Sequence, residues 1–174
     1  MRFTSIAISG PVASGTTTAA KAVAEKLGLE YRSAGDFFRD YMLKHNIPLH
    51  KKEDLPDEVD EKFDDEATKI LKSNKPIVFD GLYVGYFARD MDDVLKVLLT
   101  ADEEVRIKRA LKRTHTHKET AKTIKLRDEA HDTKFRKLYA NENFLDPKFF
   151  DLIIDTTNKS PKEVTKRILK EFSG

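Results

Sequence analysis

A glycine-rich segment near the N-terminus has the residue types and spacing of a phosphate-binding loop. Its residues are Gly10, Pro11, Val12, Ala13, Ser14, Gly15, Thr16, Thr17 and Thr18. Glycines let backbone N–H groups turn toward phosphate oxygens, and a helix that follows adds a favourable dipole. Thr17 holds the position at which the hydroxyl of such a loop ligates Mg²⁺, whereas Thr16 stands where the usual pattern has lysine. The loop therefore lacks one cation, and a purely structural glycine turn is the alternative.

Asp80 and Gly81 form the second candidate for chemistry. They follow the apolar run 76–79, which has the composition of a strand buried on both faces of a parallel sheet. An acid at the end of such a strand can hold Mg²⁺ through water or reach a bound sugar or base. An ordinary Asp-Gly turn is the alternative.

The hydrophobic pattern predicts alternating strands and helices that position these residues. Strands are predicted at 3–9, 29–32, 76–80, 94–99 and 151–155, the last of them also buried. Helices are predicted at 17–27, 35–44, 59–71 and from Pro161 onward, and a helical region at 103–139 has a break near 114–116. The helix at 59–71 is expected to pack through Val59, Phe63, Ala67, Ile70 and Leu71. The pattern predicts a single α/β domain with a doubly wound, five-stranded parallel sheet, which binds ligands at the carboxyl ends of its strands.

Charge is distributed unevenly along the chain, although the 174 residues sum to only +2. Residues 53–66 contain nine acids against one base, a net charge of −8. Residues 106–137 contain twelve Lys or Arg against four acids, a net charge of +8 with His neutral. This asymmetry suggests that a polyanion is handled near the basic region, and two solvated helix faces are the alternative. No nucleic-acid-binding module is recognisable, so we expect no nucleic-acid partner.

Other classes of protein are excluded or disfavoured by composition. The chain has no cysteine, which excludes a disulfide scaffold and a cysteine-liganded zinc site. The pair His115 and His117 is too small a ligand set for structural zinc, and we interpret these histidines as exposed. Neither a signal peptide nor an apolar stretch of about 20 residues is present. We therefore expect a cytoplasmic protein without a membrane partner.

Five segments, in order along the chain, resemble the cytidylate kinase family, and the short archaeal form most of all. They are Ile8-Ser9-Gly10-Pro11, Gly15-Thr16-Thr17-Thr18, Ser33-Ala34-Gly35-Asp36-Phe37-Phe38-Arg39, Asp80-Gly81 and Ile154-Asp155-Thr156. The resemblance covers nearly the whole chain. Archaeal members can also carry Thr at the lysine position, so the resemblance implies that Thr16 is a feature of the lineage.

The resemblance implies a P-loop kinase that transfers the γ-phosphoryl group of ATP to CMP or dCMP, with Mg²⁺ as cofactor. It implies an acceptor-binding insertion at about 36–75 and a lid at about 110–140, in a chain that we expect to act as a monomer. The lid is expected to be open and exposed without ligand, so that replacing Arg127 leaves the melting temperature nearly unchanged.

Individual roles follow from the same resemblance. Catalytic roles fall to Arg127, Arg109 and Asp80, and the metal ligands are Thr17 and Asp80. The ATP site comprises the loop from Gly10 to Thr18 together with Arg109 and Arg113. The acceptor site comprises Ser33, Asp36, Arg39, Asp80 and Gly81. Taken alone, the segment 33–39 is better explained as a capped helix start with Asp36 in the first turn.

Three positions depart from the family pattern. Thr16 replaces the loop lysine, Leu82 stands where arginine usually follows the Asp-Gly pair, and Lys134 occupies a lid position at which arginine is expected. Arg106, like Arg109 and Arg113, matches one of the spaced lid arginines. Leu82 leaves open a kinase for another nucleotide or small acceptor. Thr16 and Leu82 together leave open a catalytically inactive nucleotide-binding regulator.

Overall fold

The computed structural model describes residues 2–73, 75–112 and 119–174. Five parallel strands form one sheet in the order β2-β3-β1-β4-β5. Their bounds are β1 Ser5–Ser9, β2 Glu30–Ser33, β3 Ile77–Asp80, β4 Val94–Thr100 and β5 Leu152–Asp155. The predicted doubly wound parallel sheet is confirmed. Because β1 lies between β3 and β4, the loop after β1 and the end of β3 meet at one edge of the sheet.

Seven α-helices lie in the described residues. They are α1 Thr16–Leu27, α2 Ala34–Lys44, α3 Asp57–Leu71, α4 Val84–Phe87, α5 Glu103–Leu111, α6 Ala121–Leu138 and α7 Pro161–Ser173. Short 3-10 turns occur at Lys52–Asp54 and Pro147–Phe149. The predicted break near 114–116 lies outside the described residues.

Both faces of the sheet are covered by helices. Ala20 and Val23 of α1 and Ile168 of α7 pack with Ile6, Ile8 and Leu95 on one face. On the other face, Ala67 and Leu71 of α3 pack against Phe79 and Ile77. Strands β1, β3 and β4 are buried along almost their whole length, as strands between two helical layers must be.

The last strand, which was predicted to be buried, is buried on one face only. Strand β5 lies at the edge of the sheet, where Ile153 is 47% exposed and Asp155 is also exposed, while Leu152 and Ile154 are buried. Its run of apolar residues therefore resembles that of a central strand, but only alternate side chains reach the core.

The inward face of α3 also differs from the prediction. Its buried residues are Asp60, Asp64, Ala67 and Leu71, whereas Val59 and Phe63 are only partly buried. Lys134 of α6 donates hydrogen bonds of 2.6 Å to the Leu55 carbonyl and to Asp57 Oδ1. The acidic window is therefore not simply a solvated face, because its inward carboxylates meet buried lysines. Lys134, expected in the lid, instead ties α6 to the start of α3.

Helix α6 is anchored to the rest of the molecule by aromatic packing. Phe135 is fully buried and lies 4.9 Å from the Tyr86 ring and 5.2 Å from the Tyr83 ring, measured between centroids. The Tyr83 hydroxyl donates to the backbone carbonyl of His131 at 2.7 Å. These contacts fix the helix that carries Arg127. Among the described residues, no helix combines the length and the apolar character that crossing a bilayer requires.

Candidate active site

A cleft joins the glycine-rich loop to the helices between β2 and β3. Its loop side is lined by Gly10, Pro11, Val12, Ala13, Thr16 and Thr17, and the end of β3 contributes Asp80, Gly81 and Leu82. The opposite side is lined by Gly35, Phe38, Arg39, Met42, Leu49, Lys52 and Asp64, with Arg127 and His131 from α6.

The glycine-rich loop has the backbone conformation of an anion-binding turn. Gly15 has φ +103° and Ala13 has φ +63°, so two residues adopt left-handed conformations within three positions. At Gly10 any side chain is blocked, because a Cβ would lie 2.3 Å from the Leu99 carbonyl oxygen. Left-handed residues next to a helix start direct successive N–H groups into one concavity. Gly10 and Gly15, the two glycines of the Gly-x4-Gly pattern, therefore allow the backbone conformation of the loop.

Thr17 and Asp80 meet at the floor of the cleft. The Thr17 hydroxyl donates to Asp80 Oδ2 at 2.9 Å, and the Tyr31 hydroxyl donates to Asp80 Oδ1 at 2.8 Å. Asp80 is only 3% exposed, and this burial raises its pKa above the ordinary value, against hydrogen bonds from Tyr31 and Thr17 that lower it. Two neutral donors therefore hold the carboxylate in a fixed orientation.

The pair has the donor chemistry of a magnesium site. A hydroxyl and a carboxylate, both oxygen ligands, lie in hydrogen-bond contact at the start of α1. Mg²⁺ prefers oxygen ligands and usually keeps several waters, so one or two protein oxygens are enough. The described residues hold no cluster of three or more His, Cys, Asp or Glu that would form an all-protein metal cage.

Arg106 of α5 and Asp128 of α6 together hold the residue Val12 of the loop. One guanidinium nitrogen of Arg106 donates to the Val12 carbonyl and to Asp128 Oδ2, each at 2.9 Å. The Val12 N–H in turn donates to Asp128 Oδ1 at 3.4 Å. Both polar groups of one loop residue are thus held by an ion pair between α5 and α6. Arg106 is a buried brace of the loop.

A second brace runs from α5 through Thr156. Arg109 donates to the Thr156 hydroxyl at 3.0 Å and to its carbonyl at 2.7 Å, and the Thr156 hydroxyl donates to the Ser14 carbonyl at 2.8 Å. A separate hollow on this side of the loop is lined by Gly15, Thr18, Arg109, Thr156, Pro161 and their neighbours. Arg109 therefore lies behind the loop, outside the cleft that holds Asp80.

Arg127 lies in the cleft but not on an exposed surface. It is 8% exposed and pairs with Glu119, whose carboxylate accepts from its guanidinium. The expectation that Arg127 is exposed was wrong. The aromatic anchoring of α6 keeps this residue buried without any ligand.

The segment after β2 is divided between two surfaces. Ser33 caps α2, its hydroxyl accepting from the Asp36 N–H at 3.2 Å, and it also hydrogen-bonds Asp80 and lowers the pKa of that carboxyl. Arg39 pairs with Asp36 and lines the cleft, whereas Ser33 and Asp36 line a separate hollow beside Phe37. The capped-helix interpretation is confirmed, and Arg39, Asp80 and Gly81 are brought together in the cleft.

Several contributors were missed by sequence reasoning. Tyr31, Asp128, Lys52, Asp64 and His131 all contact the candidate site or line the cleft. No local motif marks them, because each reaches the site through the packing of elements that are distant in sequence. Arg113, His115 and His117 lie outside the described residues.

Solved structures with the same architecture include kinases. A gluconokinase from Sinorhizobium meliloti aligns with a TM-score of 0.68 at 19% identity, covering 99% of this chain and 94% of that one. A shikimate kinase from Acinetobacter baumannii aligns with a TM-score of 0.60 at 16% identity, covering 98% and 93%. At these identities the likeness establishes the fold alone.

Sequence comparison reaches the family level. The family model described as cytidylate kinase-like matches residues 5–158. Cytidylate kinases of Sulfurisphaera tokodaii and Archaeoglobus fulgidus are 35% and 37% identical, covering 94% and 95% of this chain and 92% of each relative. That of Sulfolobus acidocaldarius is 35% identical over 97% of this chain and 93% of its own length. The chain belongs to the cytidylate kinase-like family.

Proposed function

We propose that this protein transfers the γ-phosphoryl group of ATP to CMP or dCMP. The observation that carries the proposal is the single cleft in which a phosphate-binding loop faces helices α2 and α3, with the Thr17–Asp80 pair at its floor. Such an arrangement places two phosphate-bearing ligands end to end, as in-line phosphoryl transfer requires. The names of the family and of the relatives supply the identity of the acceptor.

ATP is assigned to the loop side. The backbone N–H groups of the loop, including those of Gly15 to Thr18, would hold the phosphates at the start of α1. The hollow lined by Thr18, Arg109 and Thr156 lies on the far side of the loop and would hold the nucleoside. Arg109 then both braces the loop through Thr156 and faces ATP.

Mg²⁺ would be held by the Thr17 hydroxyl and, directly or through water, by Asp80. The ion would supply charge neutralisation between the β- and γ-phosphoryl oxygens. In the protein itself, Tyr31 and Thr17 orient the Asp80 carboxylate, and the surrounding burial keeps bulk water from competing for it.

The acceptor is assigned to the other side of the cleft. Arg39 would receive the acceptor phosphate as a planar, always charged donor, and Asp36 would hold its guanidinium in place. Asp80 and Gly81 would lie between the two phosphates, and Ser33 would act through Asp80. The predicted insertion at 36–75 contains both α2 and α3, which form this side.

Transfer itself then needs little covalent work from the protein. The acceptor phosphate is already anionic near neutral pH, so no strong general base is required. Charge spreading over the equatorial oxygens would be met by Arg127, which lines the cleft together with the loop that lacks a lysine. The protein therefore acts by positioning two phosphates, surrounding them with cations and excluding water.

Release of ADP from ATP and Mg²⁺ with each nucleoside monophosphate in turn tests the proposal. We expect CMP or dCMP to give the highest kcat/KM. A higher kcat/KM for another nucleotide or small acceptor would favour the alternative permitted by Leu82. Absence of acceptor-dependent ADP with every acceptor, while ATP still binds, would identify an inactive nucleotide-binding regulator.

A further inference from the structure

Lys134 forms a buried tie between α6 and the start of α3. It is only 2% exposed, and its ammonium donates at 2.6 Å to the Leu55 carbonyl and at 2.6 Å to Asp57 Oδ1. It also lies 3.6 Å from Asp60 Oδ2. Lys134 is not one of the residues that line the cleft. Any effect of this lysine on the reaction must therefore be exerted through the helix that carries it.

The tie is attached to a packed part of the acceptor side. Leu55 is buried and packs with Met42 of α2 in one apolar cluster. Arg39, the proposed partner of the acceptor phosphate, lies one turn before Met42 on the same helix. The Leu55 carbonyl is thus held in a fixed position relative to Arg39.

The other end of the relation is Arg127, which precedes Lys134 by seven positions on α6. Seven residues extend about 10 Å along a helix and return to nearly the same side of it, so a slide or rotation that moves Lys134 also moves Arg127. Arg127 Nε is buried without a hydrogen-bond partner among the described residues, while another nitrogen of the guanidinium pairs with Glu119. A buried donor of this kind is uncommon unless a water or a ligand pairs with it. Arg127 therefore keeps one donor for a ligand.

Aromatic packing does not by itself fix α6 along its axis. Phe135 packs against the rings of Tyr83 and Tyr86, and burial of apolar surface is largely non-directional. Hydrogen bonds depend steeply on distance and angle, and those of an ammonium group are stronger than those between neutral groups. The two bonds of Lys134 thus resist a sliding movement that apolar packing opposes less sharply.

We propose that Lys134 is a positioning residue, which sets the separation of Arg127 and Arg39 by tying α6 to the acceptor side. This inference depends on the proposed function, in which Arg127 meets the transferring phosphoryl group and Arg39 the acceptor phosphate. An error in their separation lowers the rate of transfer more than the affinity for either substrate. The lysine at this lid position thus acts on the protein, where an arginine in the cleft would act on a phosphate.

The first test replaces Lys134 with methionine, which keeps an unbranched side chain and removes the donors. We expect kcat to fall at least about tenfold, with the KM for ATP and for CMP within about threefold of the wild type. Lys137→Met is the matched control. Lys137 lies on the same helix and donates to the other oxygen of Asp57 at 2.6 Å, but it is exposed. Its replacement should leave kcat within about threefold of the wild type.

The second test asks whether Lys134 acts through Arg127. If it does, adding Lys134→Met to Arg127→Ala should lower kcat by less than about threefold, because the group to be positioned is already absent. A tie that only stabilises the fold would lower kcat by the same factor in both backgrounds. Urea unfolding of each variant establishes that the assayed protein is folded.

Asp57→Asn keeps the inference testable if Lys134→Met does not fold. It removes the charge from the α3 side of the tie and leaves the lysine in place. We expect kcat to fall at least about fivefold, and this loss also to disappear in the Arg127→Ala background.

Equal losses in the two backgrounds overturn the inference. So does a wild-type kcat in folded Lys134→Met, or in Arg127→Ala, which would leave no cation to be positioned. Failure of the proposed function is distinct, because the wild type would then phosphorylate neither CMP nor dCMP.

Discussion

Thr17 links the phosphate loop to the end of β3 through its hydroxyl, which donates to Asp80 at 2.9 Å. Removing that hydroxyl in Thr17→Ala takes away one proposed metal ligand and one of the donors that orient Asp80. We expect kcat to fall at least about 10- to 100-fold, as for other changes around a bound metal, and to recover partly at high Mg²⁺. Steady-state rates measured over a range of Mg²⁺ concentrations check this.

Thr17→Ser is the matched control for this prediction. It retains the hydroxyl, so activity should stay within a few-fold of the wild type. If Thr17→Ala has near-normal activity at limiting Mg²⁺, Thr17 is not a metal ligand.

Arg127 combines a proposed catalytic role with a structural one. Its burial and its pairing with Glu119 mean that Arg127→Ala removes a cation from a buried carboxylate. We expect kcat to fall by about 10²-fold or more, as when a preorganised donor to developing charge is lost. The free energy of unfolding should also fall, by about 1.5 to 3 kcal/mol, the range for hydrogen bonds to charged groups.

Arg136→Ala separates these effects from a general change in α6. Arg136 lies on the same helix and pairs with Asp132 on the surface. Both its kcat and its stability should stay close to those of the wild type. A kcat within about threefold of the wild type in Arg127→Ala at saturating substrates would show that another group meets the transferring phosphoryl.

The residues that sequence reasoning identified are those with a local signature. Gly10, Gly15 and Thr17 are part of a contiguous motif, and Asp80 ends a recognisable strand. Asp128 has no such signature, since its function depends on a contact with Val12, 116 residues away. The burial of Arg127 was missed for the same reason: spacing within α6 does not reveal what packs against the helix.

At the scale of elements, the central relation is the clasp that α5 and α6 form around the loop. Asp128 of α6 accepts from the Val12 N–H and pairs with Arg106 of α5, which also holds the Val12 carbonyl. In Asp128→Ala the loop loses one of its braces. We expect the kcat/KM for ATP to fall about tenfold, since a modest misplacement of a phosphate-binding group has a large effect on rate. Initial rates at varied ATP measure this.

Asp132→Ala is the control for the clasp. Asp132 lies one turn further along α6 and pairs only with the surface residue Arg136 in the described part of the chain. Its kcat/KM for ATP should remain within about threefold of the wild type. Equal effects of the two replacements would show that the clasp does not position the loop.

Whether a segment forms a helix or a strand could be predicted better than which of its sides is buried. The buried strands β3 and β4 and the capped helices α2 and α7 follow from local composition and from Ser33 and Ser160 at the N-caps. The inward face of α3 could not be predicted, because a hydrophobic pattern cannot anticipate that Asp60 and Asp64 meet Lys52. Tertiary pairing of charge overrides the rule that acids face solvent.

At the scale of the whole molecule, the doubly wound sheet could be predicted from five strand signals alternating with helices. The strand order and the exposed edge at β5 could not, since both depend on pairing between distant segments. The sheet explains why the loop after β1, the end of β3 and the start of α2 meet.

The burial of Asp64 should affect how the free energy of unfolding depends on pH. Burial raises its pKa from 3.8 to about 7, with Asp60 acting in the same direction and Tyr139 and Lys52 opposing. Between those two pH values the folded protein holds a proton that the unfolded chain has lost, so stability declines as pH rises. We compare the free energy of unfolding of Asp64→Asn with that of the wild type. The difference should shift in favour of the variant by about 1.4 kcal/mol per pH unit from about pH 4 to 7, and it should stay constant above pH 7.

Urea unfolding of both proteins at several pH values between 4.5 and 8 measures that difference. Asp65→Asn should show a difference from the wild type that varies little with pH, because Asp65 is exposed. A pH-independent difference for Asp64→Asn would mean that Asp64 is ionised in the folded protein throughout this range.

The most direct test of the account follows the phosphoryl group itself. ATP labelled at the γ-phosphorus is incubated with the protein, Mg²⁺ and CMP, and the products are separated by chromatography. The account predicts that the label appears in CDP, that this depends on CMP, and that Thr17→Ala makes it slowly. Label released only as inorganic phosphate, or retained in ATP while both nucleotides bind, would contradict the assignment of this chain as a kinase of cytidine monophosphates.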